Sequence, residues 1–145
     1  MGVVVDSSIF IAAERGRFDW AGFHMQIEAE PLFLTAMTLA ELLHGAERAD
    51  TPERSAARRR FVADVESRYP LLAFGREEAE EYAKVSADLA KRGELIGTHD
   101  QIIAAIARRH GHRVATLNGA DFRRVPNLAI VDAEPFRLAA RQDRR

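Results

Sequence analysis

Four acidic residues lie at the ends of apolar runs that are spread over the whole chain. They are Asp6, Glu41, Asp100 and Asp121. Their carboxylates are hard oxygen ligands, which suit Mg²⁺, or Mn²⁺ in its place, and such a cation keeps waters and shares the oxygens of a bound phosphate. If the fold gathers these side chains, we predict a magnesium-binding pocket that cuts phosphodiester bonds.

Two of these acids also have an ordinary structural explanation. Asp6 follows the apolar run at positions 2–5 and could simply cap the helix that begins near Ser8. Glu41 fits the last position of a capping box that opens at Thr38. However, Glu41 has apolar neighbours, and a carboxylate without a partner is costly in such surroundings. A bound metal would relieve that cost.

The other two acids leave similar alternatives open. The segment 98–101 is typical of a second capping box, which would place Asp100 at the second helical position, where the helix dipole favours the ionised carboxylate. Asp121 lies in a segment that is typical of an exposed turn. Asn118 could ligate a metal through its amide oxygen or hold a neighbouring carboxylate by hydrogen bonds. All four acids stand at strand ends or helix starts, so together they indicate a site more strongly than each does alone.

Strands and helices are predicted to alternate along the chain. The predicted strands cover residues 2–5, 32–34, 71–74, 113–116 and 128–131. The predicted helices cover residues 9–15, 18–27, 38–48, 52–68, 77–92 and 98–110, and Pro135 begins a basic tail that is a further helix candidate. This alternation predicts an α/β sandwich with a mostly parallel sheet, whose ligand crevice lies beyond the carboxyl ends of the strands. Asp6 and Asn118 follow their strands directly and are expected there.

The composition is that of one compact domain over residues 1–145. The chain is 47% hydrophobic and 30% charged, with a formal net charge of −1. Nineteen of its 21 basic residues are arginine, which suits bidentate phosphate contacts, although an arginine-rich codon usage would give the same count. A phosphate-bearing partner is therefore permitted but not required.

Several other classes of site lack their sequence signals. The chain has no cysteine, which excludes disulfides, thiolate metal sites and a cysteine nucleophile, and favours a reducing cytoplasm. No phosphate-binding glycine loop, serine-hydrolase elbow or HExxH zinc motif is present. No apolar segment approaches the roughly 18–20 residues that span a bilayer, so we expect no membrane contact. His110 and His112 are typical of a solvated helix end, whereas His99 could touch a phosphate.

Four segments of the chain resemble, in the same order, the PIN-domain toxins of the VapC type. These segments are 3–8, 38–45, 96–105 and 115–126, and the resemblance covers nearly the whole chain. It implies a PIN-like three-layer α/β/α sandwich with a mostly parallel central sheet. It also implies a magnesium-dependent endoribonuclease that a VapB-type antitoxin inhibits.

The resemblance assigns roles to the individual acids. Asp6 and Asp100 match the principal metal ligands, and Glu41 matches the third acid. The variable fourth position corresponds to Asp121 or Asn118. Ser7 stands where a threonine is frequent in the family and keeps the hydroxyl, so we expect it to contribute to cofactor binding together with Asn118.

A mechanism and partners follow from these expectations. One or two magnesium ions would position and deprotonate a water for in-line attack on a phosphodiester, and rim arginines would bind a structured or single-stranded RNA. The apolar faces of helices 18–27 and 38–48, with Leu42 and Leu43, offer more apolar surface than one thin sheet can cover. We therefore predict a homodimer and an antitoxin groove.

Two alternatives from other functional classes remain. A phosphatase of the HAD type also begins with an apolar strand and an aspartate, but it needs a second aspartate where this chain has Ser8. A noncatalytic RNA-binding or protein-interaction module would use the arginines and leave the acids structural.

Overall fold

A parallel sheet of five strands forms the centre of the computed structural model, which describes residues 1–140. In sheet order the strands are β3, β2, β1, β4 and β5. Their bounds are β1 Val3–Val5, β2 Leu32–Thr35, β3 Leu71–Leu72, β4 Arg113–Thr116 and β5 Ile130–Asp132. Every pair of neighbouring strands is parallel, with Val4 opposite both Phe33 and Val114. The carboxyl ends of β1 and β4 therefore lie side by side.

Helices connect the strands. They are α1 Ser7–Glu14, α2 Trp20–Gln26, α3 Ala36–Glu47, α4 Pro52–Arg68, α5 Arg76–Lys91, α6 Thr98–His110 and the short α7 Gly119–Phe122. A single 3₁₀ turn, Glu134–Phe136, follows β5. The predicted α4 has the bounds found in the structure, and Gly16, Gly93 and Gly111 each follow a helix with a left-handed φ near +70°.

The helices cover both faces of the sheet. Val3 and Val5 belong to one apolar cluster, with residues of α1 to α4, whereas Val4 belongs to a second cluster with residues of α5, α6 and α7. All three valines are fully buried, which confirms the prediction of a strand covered on both faces. The result is the predicted three-layer α/β/α sandwich.

Both predicted capping boxes are wrong. Helix α3 starts earlier than expected, because Thr35 is its N-cap and the Thr35 hydroxyl accepts from the Thr38 amide at 3.1 Å. Glu41 is thus well inside the helix rather than in its first turn. Helix α6 is capped by Gly97, and Gln101 donates its amide to the Ile96 carbonyl at 2.7 Å instead of reaching back to an N-cap amide.

The apolar residues around α2 and α3 form core rather than open surface. Phe18, Phe23, Ile27 and Leu42 are all buried in the first apolar cluster, and Trp20 packs against it. Other helices as well as the sheet cover these faces, so they do not by themselves support a homodimer, which remains a prediction. Within residues 1–140, no helix has the length and apolar character that crossing a lipid bilayer requires.

Candidate active site

Asp6 stands at the carboxyl end of β1 and is almost completely buried, with 4% of its surface exposed. It occupies the N-cap position of α1, but its carboxylate makes no capping bond to the helix backbone. Instead, Oδ2 accepts hydrogen bonds from the Ser8 hydroxyl at 2.8 Å and the Thr116 hydroxyl at 2.9 Å. The capping explanation therefore does not describe what this side chain does.

The two hydroxyls that donate to Asp6 are themselves held by the backbone after β4. The Leu117 amide donates to the Ser8 hydroxyl at 3.1 Å, and the Asn118 amide donates to the Thr116 hydroxyl at 2.8 Å. Since each hydroxyl oxygen already accepts an N–H, its own hydrogen is directed to Asp6. Neither Ser8 nor Thr116 was predicted as a site residue. A hydroxyl at the end of a central strand is the only sequence signal that could have indicated Thr116.

Ser7 joins the first acid to the second. Its hydroxyl donates to Glu41 Oε2 at 3.1 Å and lies 3.5 Å from Asp6 Oδ1. Among residues 1–140, the other Glu41 oxygen, Oε1, is buried without any hydrogen-bond donor. Burial raises the pKa of Glu41, the hydrogen bond from Ser7 opposes that rise, and the negative charge of Asp6 adds to it. Glu41 thus has one oxygen bonded to Ser7 and one that is buried without a partner.

Asp100, the third residue of α6, faces the other acids. Burial raises its pKa most, the negative charges of Asp6, Glu41 and Asp121 add to that rise, and together they bring the pKa to about 6. The helix N-terminus was expected to favour the ionised carboxylate, but the pKa shifts in the opposite direction, although a carboxyl with a pKa of about 6 is still mostly ionised near neutral pH. A helix dipole contributes only about 0.3–1 kcal/mol at a partly exposed position, which burial and three like charges outweigh. The same observation confirms that the fold gathers the four predicted acids.

Asp121 completes the group from α7. The segment after β4 is a short helix rather than a plain turn. The side-chain amide of Asn118, through Nδ2, donates to Asp121 Oδ2 at 3.0 Å. Of the two roles considered for Asn118, this structure contains the hydrogen bond to a carboxylate. Asn118 itself is exposed, while Asp121 is half-buried.

Three of the five histidines, His99, His110 and His112, lie at opposite ends of the sheet. His99 is exposed beside Asp100 and opposes the rise in the pKa of that carboxyl. His110 contacts Glu78 Oε1 at 3.1 Å, and His112 Nδ1 accepts from the Gly2 amide at 3.0 Å. Since Gly2 precedes β1 and Asp6 follows it, His110 and His112 lie at the opposite end of the sheet from the acids.

The donor set fits a hard divalent cation. Within residues 1–140, no three acidic or histidine side chains stand close enough together to hold a metal ion jointly. Mg²⁺ binds through one or two carboxylates and keeps several waters, so it suits an open pocket of this kind. The unpaired Glu41 oxygen and the mutual repulsion of the carboxylates are the features that a cation would relieve.

Comparison with known proteins agrees with this geometry. The PIN domain family matches residues 3–128, a span that contains all four acids and β1 to β4. Ribonuclease VapC1 of Rickettsia felis is 37% identical over 131 residues, which cover 90% of this chain and 96% of that protein. The tRNA(fMet)-specific endonuclease VapC of Salmonella typhimurium is 35% identical over 99 residues, covering 68% of this chain and 73% of that protein. The crystal structure of DNA-bound VapBC from Salmonella typhimurium matches with a TM-score of 0.79 and 28% identity, covering 91% of this chain and 98% of that one.

Proposed function

Because this chain belongs to the PIN-domain family, and within it to the ribonucleases of the VapC type, we propose that it is a metal-dependent endoribonuclease. We further propose that it acts as the toxin of a toxin–antitoxin pair in the cytoplasm. The convergence of Asp6, Glu41 and Asp100 supports this proposal most directly. Carboxylates that raise one another's pKa are costly to keep together unless the site binds a cation.

Asp6, Glu41 and Asp100 are the residues that would hold Mg²⁺, or Mn²⁺ in its place. When bound, the cation would supply acidity to a water and stabilise negative charge on a phosphate. Ser8 and Thr116 donate to one Asp6 oxygen, and among residues 1–140 the side-chain hydrogen bond to the other is the 3.5 Å contact from Ser7. Asp121, held by Asn118, is the fourth acid of the group.

RNA is the substrate we propose, on the strength of the relatives' names. The Salmonella typhimurium relative is named a tRNA(fMet)-specific endonuclease, which makes an initiator tRNA the first substrate to test. Single-stranded loops of such an RNA suit this pocket, because their bases can be splayed away from the scissile phosphate.

A VapB-type antitoxin and a second copy of the chain are the protein partners we propose. The matched Salmonella typhimurium structure is a VapBC complex. An aromatic cavity of about 200 Å³ opens between α2 and α4, and Trp20, His24, Phe61 and Tyr69 line it. An amphipathic antitoxin helix could place its apolar side chains there. The exposed Leu71 and Phe74 near the β3 edge provide apolar surface for self-association.

Expression of the chain with and without its antitoxin tests the proposed function. We expect growth arrest from the chain alone, relief by the co-expressed antitoxin, and no arrest from Asp6→Asn. Purified protein should cleave an initiator tRNA in the presence of Mg²⁺, and this cleavage should stop when EDTA is added. A chain that sediments as a monomer at high concentration would contradict the dimer. Activity that persists in EDTA, or in Asp6→Asn, would instead contradict the metal-dependent nuclease.

A further inference from the structure

One exposed face of α1 leads away from the acidic pocket. Ser7, Ile11 and Arg15 are spaced four residues apart, so they lie on the same side of this helix and of its C-cap. Ser7 is hydrogen-bonded to the catalytic acid Glu41, whereas Ile11 is 41% exposed and Arg15 is exposed. At 1.5 Å of rise per residue, Arg15 stands about 12 Å from the pocket along the helix axis.

Two cavities flank this face, and both include Ile11 and Arg15. The smaller, of about 120 Å³, reaches Glu41 and is closed on its far side by Arg58. The larger, of about 270 Å³, reaches Ser8 and is lined further out by Arg17. We call these two adjoining cavities, which share Ile11 and Arg15 and reach Glu41 and Ser8 respectively, the groove.

The groove is rich in arginine. Within residues 1–140, neither Arg15 nor Arg17 has a carboxylate within 4.0 Å. Arg58 is 3.7 Å from Glu14 and donates to the Gly45 carbonyl at 2.7 Å, which holds its guanidinium in place. Arg137, which also lines the larger cavity, is already paired with Glu134 at 3.0 Å. Two arginines are thus available to an anion beside an acidic centre.

The turn that presents these arginines is well ordered by its backbone. Arg17 donates its amide to the Ala12 carbonyl at 2.8 Å, across a left-handed Gly16. The Arg17 carbonyl in turn accepts from the Leu138 amide at 2.8 Å. The backbone positions of Arg15 and Arg17 are therefore determined by the fold rather than by a free loop.

From these observations we propose that Arg15 and Arg17 bind the sugar–phosphate backbone of the RNA on one side of the cleaved bond. This inference rests on the proposed function. The planar guanidinium group suits phosphate oxygens. The carboxylates of the site would repel an RNA strand, and nearby positive charge offsets that repulsion. The arginines guide the strand past Ser7 and Glu41, and they do not take part in the bond-breaking step.

Binding of a fluorescein-labelled single-stranded RNA in EDTA, followed by anisotropy at several salt concentrations, tests this proposal. The double variant Arg15→Gln/Arg17→Gln should bind about 25-fold more weakly at 0.1 M salt, since each lost phosphate contact costs about 5-fold there. Its negative slope of log affinity against log salt should decrease in magnitude by about 1.4. In Mg²⁺ its KM for RNA should rise while kcat stays unchanged.

The matched control removes two other exposed arginines. Arg76 lies on α5, and Arg109 lies at the end of α6 that is far from Asp100. Each is paired with a glutamate. Arg76→Gln/Arg109→Gln should keep the wild-type affinity and salt slope.

If the wild type cleaves RNA but the two double variants bind RNA with the same affinity as each other, the proposal is overturned and the nuclease assignment stands. If the wild type neither binds nor cleaves RNA, both fail. If Arg15→Gln/Arg17→Gln loses only its binding of polyglutamate, the groove serves an acidic protein segment, and the RNA proposal is wrong.

Discussion

Thr116 donates its hydroxyl to Asp6 at 2.9 Å, although the two residues are 110 positions apart in the chain. The contact exists because β4 lies directly beside β1, so the carboxyl ends of both strands reach the same pocket. It ties the first acid of the site to the segment that carries Asn118 and Asp121. Thr116, whose hydroxyl orients Asp6, is fully buried, so its side chain does not itself face a substrate.

Replacing Thr116 by valine removes this donor while keeping the shape of the side chain. We expect Thr116→Val to lower the Mg²⁺ affinity and the cleavage rate about 10–100-fold, as is usual when a residue that holds a metal ligand by a hydrogen bond is changed. Calorimetric titration with Mg²⁺ and single-turnover cleavage measure the two effects. Thr116→Ser, which restores a hydroxyl, should recover most of both. Wild-type Mg²⁺ affinity in Thr116→Val would show that the hydrogen bond has no positioning role.

Asp100→Asn removes one charge from the group of four acids. Its Mg²⁺ binding should become too weak to measure by calorimetry, and its nuclease activity should be lost, although the variant should fold normally. Glu53→Gln, an exposed change in the first turn of α4, is the control and should behave as the wild type. Wild-type cleavage by Asp100→Asn would refute the assignment of this residue as a metal ligand.

The stability of the metal-free protein should depend on Asp100 and on pH. Because the pKa of Asp100 is raised to about 6 from 3.8, the folded state holds this proton more tightly than the unfolded chain does. Stability should therefore fall as the pH rises from about 4 to about 6, and the loss should persist above pH 6. Asp100→Asn should be more stable than the wild type at pH 8, by about 1–2 kcal/mol after allowance for partial exposure.

Denaturant unfolding in EDTA at pH 4, 6 and 8 measures this effect. The advantage of Asp100→Asn over the wild type should shrink towards pH 4, where the wild-type carboxyl is protonated. Glu41, whose pKa is also raised, titrates in both proteins. An Asp100→Asn variant that is less stable than the wild type at pH 8 would contradict the repulsion described above.

The products of RNA cleavage should carry 5′-phosphate and 3′-hydroxyl ends. A pocket of carboxylates activates water rather than the 2′-hydroxyl of the substrate, so a single deoxynucleotide at the cut site should still be cleaved. The competing route uses a pair of histidines and leaves a cyclic 2′,3′-phosphate. His110 and His112 lie at the other end of the sheet, which disfavours that route. End-group analysis of the fragments distinguishes the two, and cyclic ends would refute the water mechanism.

Local patterns in the sequence determined much of the fold. A run of valines is buried on both faces wherever it occurs in a parallel sheet, and Val3–Val5 is such a strand. Pro52 and Gly16 act on their own backbone, so the start of α4 and the end of α1 could be predicted from neighbouring residues. The positions of Asp6 at a strand end and of Asp100 at a helix start were visible for the same reason.

Competition between nearby residues was harder to predict. Thr35 and Thr38 are both good N-caps, and Thr35 is the one that caps α3 because β2 ends at that residue. The sequence alone could not rank them, so it placed Glu41 in a capping box that does not exist. The apolar face of α2 was likewise visible, but only the packing of Phe18 and Phe23 into the core decided that it is not an open surface.

Tertiary structure alone decided the electrostatics of the site. Hydrogen bonds such as that from Thr116 to Asp6, and the unpaired oxygen of Glu41, depend on side chains that are distant in the chain. The pKa of Asp100 depends on its burial and on charges from three other elements, whereas its local helix position predicts a shift in the opposite direction. Burial and charge repulsion depend on distances in space, and the spacing of residues along a sequence does not contain those distances.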